Sequence, residues 1–326
     1  MSGSAIITGI YGQDGYYLAK KLFNKDLTVY GVSNKVLSVF SKKNKLHLKK
    51  EQIIINELKL DLLDFKSVAK HIKKIKPKYI FHLAALHSSS EKNLDNHEKV
   101  FFNNFYSTLN ILESINLYSK KTRFIHAGSC LMFDNSRTSP QNDKTEWNSS
   151  SSYGISKNLS SKMVKHFRDN KKIFAVNAIL YNHESPMRPD HFVSQKIING
   201  LIDIKFNKKK YLTLASLDSY KDWSHAEDIV EGMVLMSNAE KPMDYIISSQ
   251  IKRSVNDFVK VTADILKIKD IYKKIKIEKK IKSINNSKKP LIGNSIKIRK
   301  NLKWENKISF RDMIKEMIRY KIEYND

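Results

Sequence analysis

The chain has 326 residues, 41% of them hydrophobic and 10% aromatic, which is ample material for a packed core, and no apolar run approaches the ~20 residues needed to cross a bilayer. Its single cysteine, Cys130, excludes an intrachain disulfide and a cysteine-rich zinc site. Lys and Arg total 59 against 33 Asp and Glu, a net charge of +26, but the lysines are scattered through every segment (Lys73 to Lys78, Lys208 to Lys210, Lys273 to Lys282) and read as solvated faces, so neither nucleic acid nor a membrane surface is the expected partner.

A strand begins almost at once, at Ala5 to Thr8, with no basic region followed by an apolar one before it, so a cytoplasmic protein is expected. A helical pattern follows over Tyr16 to Phe23, then strands over Leu27 to Val32 and Ile53 to Leu58. A helix over Ser67 to Ile75, a strand over Tyr79 to Leu83, a helix over Ser107 to Asn116 and strands over Arg123 to Ala127 and Ile173 to Leu180 complete the alternation. Short β-branched runs separated by amphipathic stretches predict an α/β fold, a doubly wound parallel sheet covered by helices on both faces. The serine-rich piece Asn148 to Ser152 is a loop. From Tyr181 the alternation weakens, down to a helix over Ser309 to Tyr320. The expected organisation is a dinucleotide-binding domain over 1–180 and a smaller C-terminal lobe over 181–326 that binds the substrate, with segments of the two free to interleave.

Gly9-Ile10-Tyr11-Gly12-Gln13-Asp14-Gly15 lies where the first strand turns into the first helix. Glycines at that junction let the backbone turn tightly and approach a pyrophosphate at a helix N-terminus, so Gly9, Gly12, Gln13, Asp14 and Gly15 are candidate cofactor ligands. The second strand ends Gly31-Val32-Ser33-Asn34-Lys35, with no carboxylate for a ribose 2′-hydroxyl and a lysine available for a 2′-phosphate. Lys35 therefore favours NADP, with NAD as the alternative. Asp61 and Leu62, after the third strand, are placed to border the adenine.

Tyr153 and Lys157 stand four residues apart, on one face of a helix. A phenol is a weak base at its ordinary pKa, but a neighbouring ammonium and the nicotinamide charge favour the phenolate, which could exchange a proton with a sugar hydroxyl or carbonyl as hydride moves. Ser129, ending the fifth strand, could supply a second hydrogen bond to the same oxygen.

With these motifs the sequence resembles the extended short-chain dehydrogenase/reductase family, a Rossmann-fold group, and within it the GDP-mannose 4,6-dehydratases. The likeness runs through Gly9 to Gly15, Tyr181-Asn182-His183-Glu184-Ser185-Pro186 with Arg188, Phe192-Val193, Leu217-Asp218-Ser219 with Asp222-Trp223 and His225-Ala226, and Leu291-Ile292-Gly293 leading to Leu302 and Trp304. It implies that Ala84 and His183 border the cofactor. Asn182 and Lys196 would contact the substrate pyrophosphate, Arg188 and Lys221 would lie near the nucleotide, and Glu184, Ser185 and Val193 would complete the substrate set. It also implies a homodimer or homotetramer.

The departures are specific. In the dehydratases a glutamate two residues after the Ser/Thr that ends the fifth strand removes the sugar C5 proton, whereas Ser129 here is followed by Cys130-Leu131. Leucine carries no proton, and Asp134 is poorly placed for the task; Cys130 is the candidate substitute base. An arginine of the family has no counterpart in Asn285-Asn286-Ser287, and another, beside Lys196, is replaced by Gln195. Hydride exchange at C4 needs Ser129, Tyr153, Lys157 and the cofactor only. The expected function is thus a 4-keto sugar reductase or 4-dehydrogenase acting on a nucleotide-linked, preferably GDP-linked, sugar in surface polysaccharide biosynthesis. The alternatives are a GDP-mannose 4,6-dehydratase-type lyase, a nucleotide-sugar epimerase and a noncatalytic binding protein.

Overall fold

The computed structural model describes residues 3–34, 36–86, 97–278 and 289–324. Lys35 and the stretch Asn285-Asn286-Ser287, both singled out above, lie outside the described residues.

Strand β1 (Ser4–Thr8) leads through the glycine turn into α1 (Gln13–Phe23), β2 (Thr28–Val32), α2 (Val39–Lys50) and β3 (Asn56–Glu57). Then come α3 (Phe65–Ile75), β4 (Tyr79–His82), α4 (His97–Phe101), a π-helical turn over Phe102–Tyr106, α5 (Ser107–Tyr118) and β5 (Arg123–Ser129). A 3-10 turn over Cys130–Phe133 and a loop precede α6 (Ser152–Lys171), β6 (Ala175–Leu180), β7 (Asn182–Glu184), α7 (Val193–Lys205), β8 (Leu212–Leu214) and β9 (Tyr220–His225). The chain finishes with α8 (Ala226–Asn238), β10 (Tyr245–Ile247), β11 (Lys252–Ser254), α9 (Val255–Ile265), β12 (Ile275–Ile277), α10 (Ile296–Leu302) and α11 (Phe310–Glu323).

Seven parallel strands form the main sheet in the order β10-β6-β5-β4-β1-β2-β3, the doubly wound Rossmann arrangement, in which the order reverses beside β1 and opens a crevice at the strands' C-terminal ends. Alternation along each strand feeds two cores. Ile7, Phe81, Ile125 and Val176 face one, with Leu18 of α1 and Met233 of α8. Their neighbours Ile6, Ile80, Phe124 and Ala175 face the other, with Val68 of α3, Ile111 of α5 and Phe167 of α6. A third core gathers α7, α9 and α11 around Trp223, through Ile198, Leu201, Phe258, Ile314 and Met317.

One strand differs from the sequence-based expectation. The strand predicted over Ile53 to Leu58 is only Asn56–Glu57, because Ile53 closes α2 instead: Gln52 takes a φ of 58° and Ile53 N–H donates to the Leu48 carbonyl at 2.9 Å. Helix α8, β10 and α10, all after residue 180, pack in the core of the main sheet, and Trp304 Nε1 donates to the Asp228 carbonyl of α8 at 2.7 Å.

Candidate active site

The turn after β1 is shaped by contacts that a side chain would fill. Gly9 has φ +73°, and a Cβ on it would lie 3.1 Å from the Ala84 backbone nitrogen. A Cβ on Gly15 would lie 2.4 Å from the Ile10 carbonyl oxygen. The Ala84 N–H donates to Thr8 Oγ1 at 3.1 Å, tying the end of β4 to the turn. With Gly12 as N-cap of α1, lacking any side-chain cap, the helix start stays open to a phosphate, and the cradle fits the pyrophosphate of a dinucleotide. At the crevice edge, Asp61 accepts from Leu63 N–H at 2.9 Å, and the Leu62 carbonyl accepts from Asn110 Nδ2 at 3.0 Å.

Beyond the turn, Gln13 and Asp14 reach across to β7. Gln13 Nε2 donates to the His183 carbonyl at 3.2 Å, and Ser185 Oγ donates to Gln13 Oε1 at 2.9 Å. His183 Nε2 lies 2.9 Å from Asp14 Oδ1. The structure thus joins residues that the sequence leaves 169 positions apart.

Ser129, Tyr153 and Lys157 come together as the sequence predicts. Ser129 and Tyr153 share a side-chain hydrogen bond. Lys157 Nζ donates to the Ala127 carbonyl at 2.8 Å and sits 5.9 Å from the Tyr153 ring centroid. Lys157 is buried, which lowers its pKa to about 8. Burial raises the Tyr153 phenol instead, with Cys130 adding to the rise and the Ser129 hydrogen bond and Arg188 charge opposing it. Burial in the protein thus favours the protonated phenol; the nicotinamide charge invoked from the sequence is a separate influence that favours the anion.

The surroundings of Cys130 weigh against the role of base. Burial pushes its thiol up to about 12; the Lys221 ammonium counters this and Asp222 reinforces it. A thiol so raised is a poor base at neutral pH.

The substrate candidates gather on β7, α7 and β9. Asn182 opposes Trp223 in the β7–β9 pairing. Glu184, predicted to touch substrate, is 2% exposed, and its Oε2 is engaged within the protein: Ser194 Oγ donates to it at 2.6 Å and Arg188 Nε pairs with it at 3.2 Å. Its carboxylate orients Arg188, whose guanidinium carbon also lies 3.5 Å from the Phe192 ring centroid. Val193 opens α7, and Lys196, one turn on, is exposed. Burial lowers the Lys221 pKa against the pull of Cys130 and Glu184. Tyr153 feels the charges of Cys130, Arg188 and Asp14, and Lys221 those of Cys130 and Glu184, so these groups influence one another electrostatically.

Two supporting residues escaped sequence reasoning. Asp222 is a buried hub whose carboxylate accepts from Ser249 N–H and Gly293 N–H at 2.8 and 3.1 Å. Asn104, in the π-helical turn, donates from Nδ2 to Ser156 Oγ at 2.9 Å, and its Oδ1 accepts from Leu86 N–H at 2.7 Å. Nothing local distinguishes the Asn104 segment from ordinary helix. A separate cleft of about 520 Å³, lined by Lys205, Lys210, Lys267 and Lys273, lies where α7 and α9 end.

The GDP-mannose 4,6 dehydratase family profile matches residues 6–317. A GDP-mannose 4,6 dehydratase of Drosophila melanogaster is 31% identical, covering 98% of this chain and 86% of its own length. The human protein of that description is also 31% identical, over 98% and 91% of the two chains. Among solved structures, dTDP-glucose 4,6-dehydratase from Bacillus anthracis in complex with NAD superposes with a TM-score of 0.85 at 14% identity, covering 99% and 98% of the two chains. UDP-glucuronic acid 4-epimerase from Bacillus cereus gives 0.85 at 17% identity, covering 98% and 99%; at such identities the likeness is one of fold.

Proposed function

The chain belongs to the GDP-mannose 4,6-dehydratase family, whose named relatives favour dehydration; from its own residues, against that, we propose that it is an NAD(P)-dependent enzyme that exchanges hydride at the C4 position of a nucleotide-linked, preferably GDP-linked, sugar without eliminating water. The observation that carries the second half is Leu131, an apolar side chain one residue past Cys130, beside an assembled Ser129, Tyr153 and Lys157.

In this reading the glycine turn and the N-terminus of α1 would hold the dinucleotide pyrophosphate, and the cofactor when bound would supply hydride-transfer chemistry. Tyr153, protonated in its buried setting, gives its proton to a 4-keto oxygen as that oxygen becomes a hydroxyl, or takes it back in the reverse direction. Ser129 holds the same oxygen by a second hydrogen bond. Lys157, fixed on the Ala127 carbonyl, keeps positive charge near the phenol and stabilises its anion. Arg188, Lys196 and Lys221 present cations suited to a nucleoside diphosphate, and the basic field of the whole chain would speed its approach.

A second reading, dehydration to the 4-keto-6-deoxy sugar, is favoured by the activity for which the relatives are named and needs a base that Leu131 cannot provide. Incubation of the purified protein with GDP-mannose, and with 4-keto GDP-sugars plus NADPH or NADH, separates the two. Consumption of reduced cofactor that stops in Tyr153→Phe supports hydride exchange. Conversion of GDP-mannose to a 4-keto-6-deoxy product with no net change in cofactor establishes the dehydratase.

A further inference from the structure

We propose that Asp134 is a positioning residue for the proton-transfer step, a buried carboxylate that gathers three consecutive serines and so fixes the start of the helix carrying Tyr153 and Lys157. Asp134 is 5% exposed and directly follows the 3-10 turn that begins at Cys130, so it belongs to the same rigid piece of backbone as Ser129. Its Oδ2 accepts from Ser149 Oγ at 3.0 Å and from Ser151 Oγ at 2.7 Å. Its Oδ1 accepts from Ser150 N–H at 2.7 Å and from Ser150 Oγ at 3.3 Å.

Ser151 is the N-cap of α6: its Oγ accepts from Gly154 N–H at 3.1 Å while donating to Asp134. Donation to a carboxylate makes that hydroxyl oxygen a stronger acceptor, so the cap is reinforced from outside the helix. The fit is tight as well as polar. A Cβ at Gly154 would lie 2.0 Å from Ser149 Oγ and 2.4 Å from the Leu131 carbonyl oxygen, so the first turn of α6 rests directly on the segment that links Ser129 to Asp134. One carboxylate therefore sets the distance between Ser129 and Tyr153, two residues that must address a single oxygen. Small misplacements of such a pair cost rate rather than binding, because the alignment matters most in the transition state.

The proposal rests on Tyr153 being the proton donor, as in the proposed function, and its test has one arm that needs no turnover. Hydrogen exchange on the full chain is compared for wild type, Asp134→Asn and the triple Ser149→Ala, Ser150→Ala, Ser151→Ala variant. Exchange of the amides over 150–157 is expected to speed up about 10-fold or more in both variants while β6 stays protected. In turnover, both variants should lose about 10- to 100-fold in kcat with KM for the nucleotide sugar within about 2-fold. Adding Asp134→Asn to the triple variant should change little further, since the two act through one network. Unchanged exchange over 150–157, or loss of protection spread evenly through the sheet, overturns the proposal; so does a rise in KM at constant kcat. A wild-type protein inactive on every nucleotide sugar would instead overturn the proposed function, with the exchange arm still deciding the role of Asp134.

Discussion

His183 Nε2 lies 2.9 Å from Asp14 while its Nδ1 faces the Tyr181 carbonyl at 2.7 Å, so both ring nitrogens meet acceptors, an arrangement that favours the imidazolium. Burial opposes that charge, and the charge and hydrogen bond of Asp14 outweigh it, raising the His183 pKa; Asp14 is lowered in turn, its own burial outweighed by His183 and Arg188. The pair fastens the cofactor turn to β7.

Its stability contribution follows from those signs. For His183, raised above its unfolded value, the contribution is complete below that value and is lost as pH rises through the folded one. For Asp14, lowered, it is present above the unfolded carboxylate value and is lost as pH falls through the folded one. As pH rises above about 6.5 the melting temperature of wild type should therefore fall relative to His183→Asn, each unit of pKa elevation corresponding to ~1.4 kcal/mol. Parallel melting curves for the two proteins across that range would show that the ring is neutral.

Leu131→Glu tests the missing elimination directly. Because the Leu131 carbonyl oxygen would lie 2.4 Å from a Cβ on Gly154, the residue next to Tyr153, position 131 is held against the helix that carries Tyr153 and Lys157. The variant is expected to form a 4-keto-6-deoxy product from GDP-mannose that wild type does not, read by mass spectrometry as loss of water. A general base typically contributes ~10²–10⁴ in rate, so even a poorly placed glutamate should be detectable. If wild type already forms that product, the hydride-only reading fails.

Cys130→Ala should leave turnover within about 3-fold of wild type, since a thiol raised by burial to about 12 holds its proton at neutral pH. Alkylation by iodoacetamide at pH ~7 should correspondingly be slow. A loss of ~100-fold or more in kcat with the fold intact would restore the thiol as the base.

What the sequence disclosed about this site follows from how far each device reaches along the chain. The glycine turn and the Tyr153–Lys157 pair are local, set by spacing within one turn or one helix, and both form as the spacing predicts. Helix α2 escaped notice because its lysine-rich face buries only Asn44 and Leu48 and leaves little periodic signal. The His183–Asp14 pair depends on the sheet bringing distant crossings together, which no local pattern encodes. Asp134 looked idle as a base; its use became visible only once the loop Ser149 to Ser151 had folded onto it.

Gly15→Ala is the sharpest test of the cofactor cradle. The new methyl would stand 2.4 Å from the Ile10 carbonyl and 2.5 Å from that of Gly9, backbone atoms that can retreat only by opening the turn. Gly12→Ala supplies a graded comparison, since its Cβ would meet the Gly9 carbonyl at 3.1 Å, a contact that a shift of a few tenths of an ångström relieves. Dinucleotide affinity measured by calorimetry should fall about 10-fold or more in Gly15→Ala and less in Gly12→Ala, with a stability loss of about 1–3 kcal/mol in the former from overpacking. Affinity within about 2-fold of wild type in Gly15→Ala would mean that the pyrophosphate does not rest on this turn.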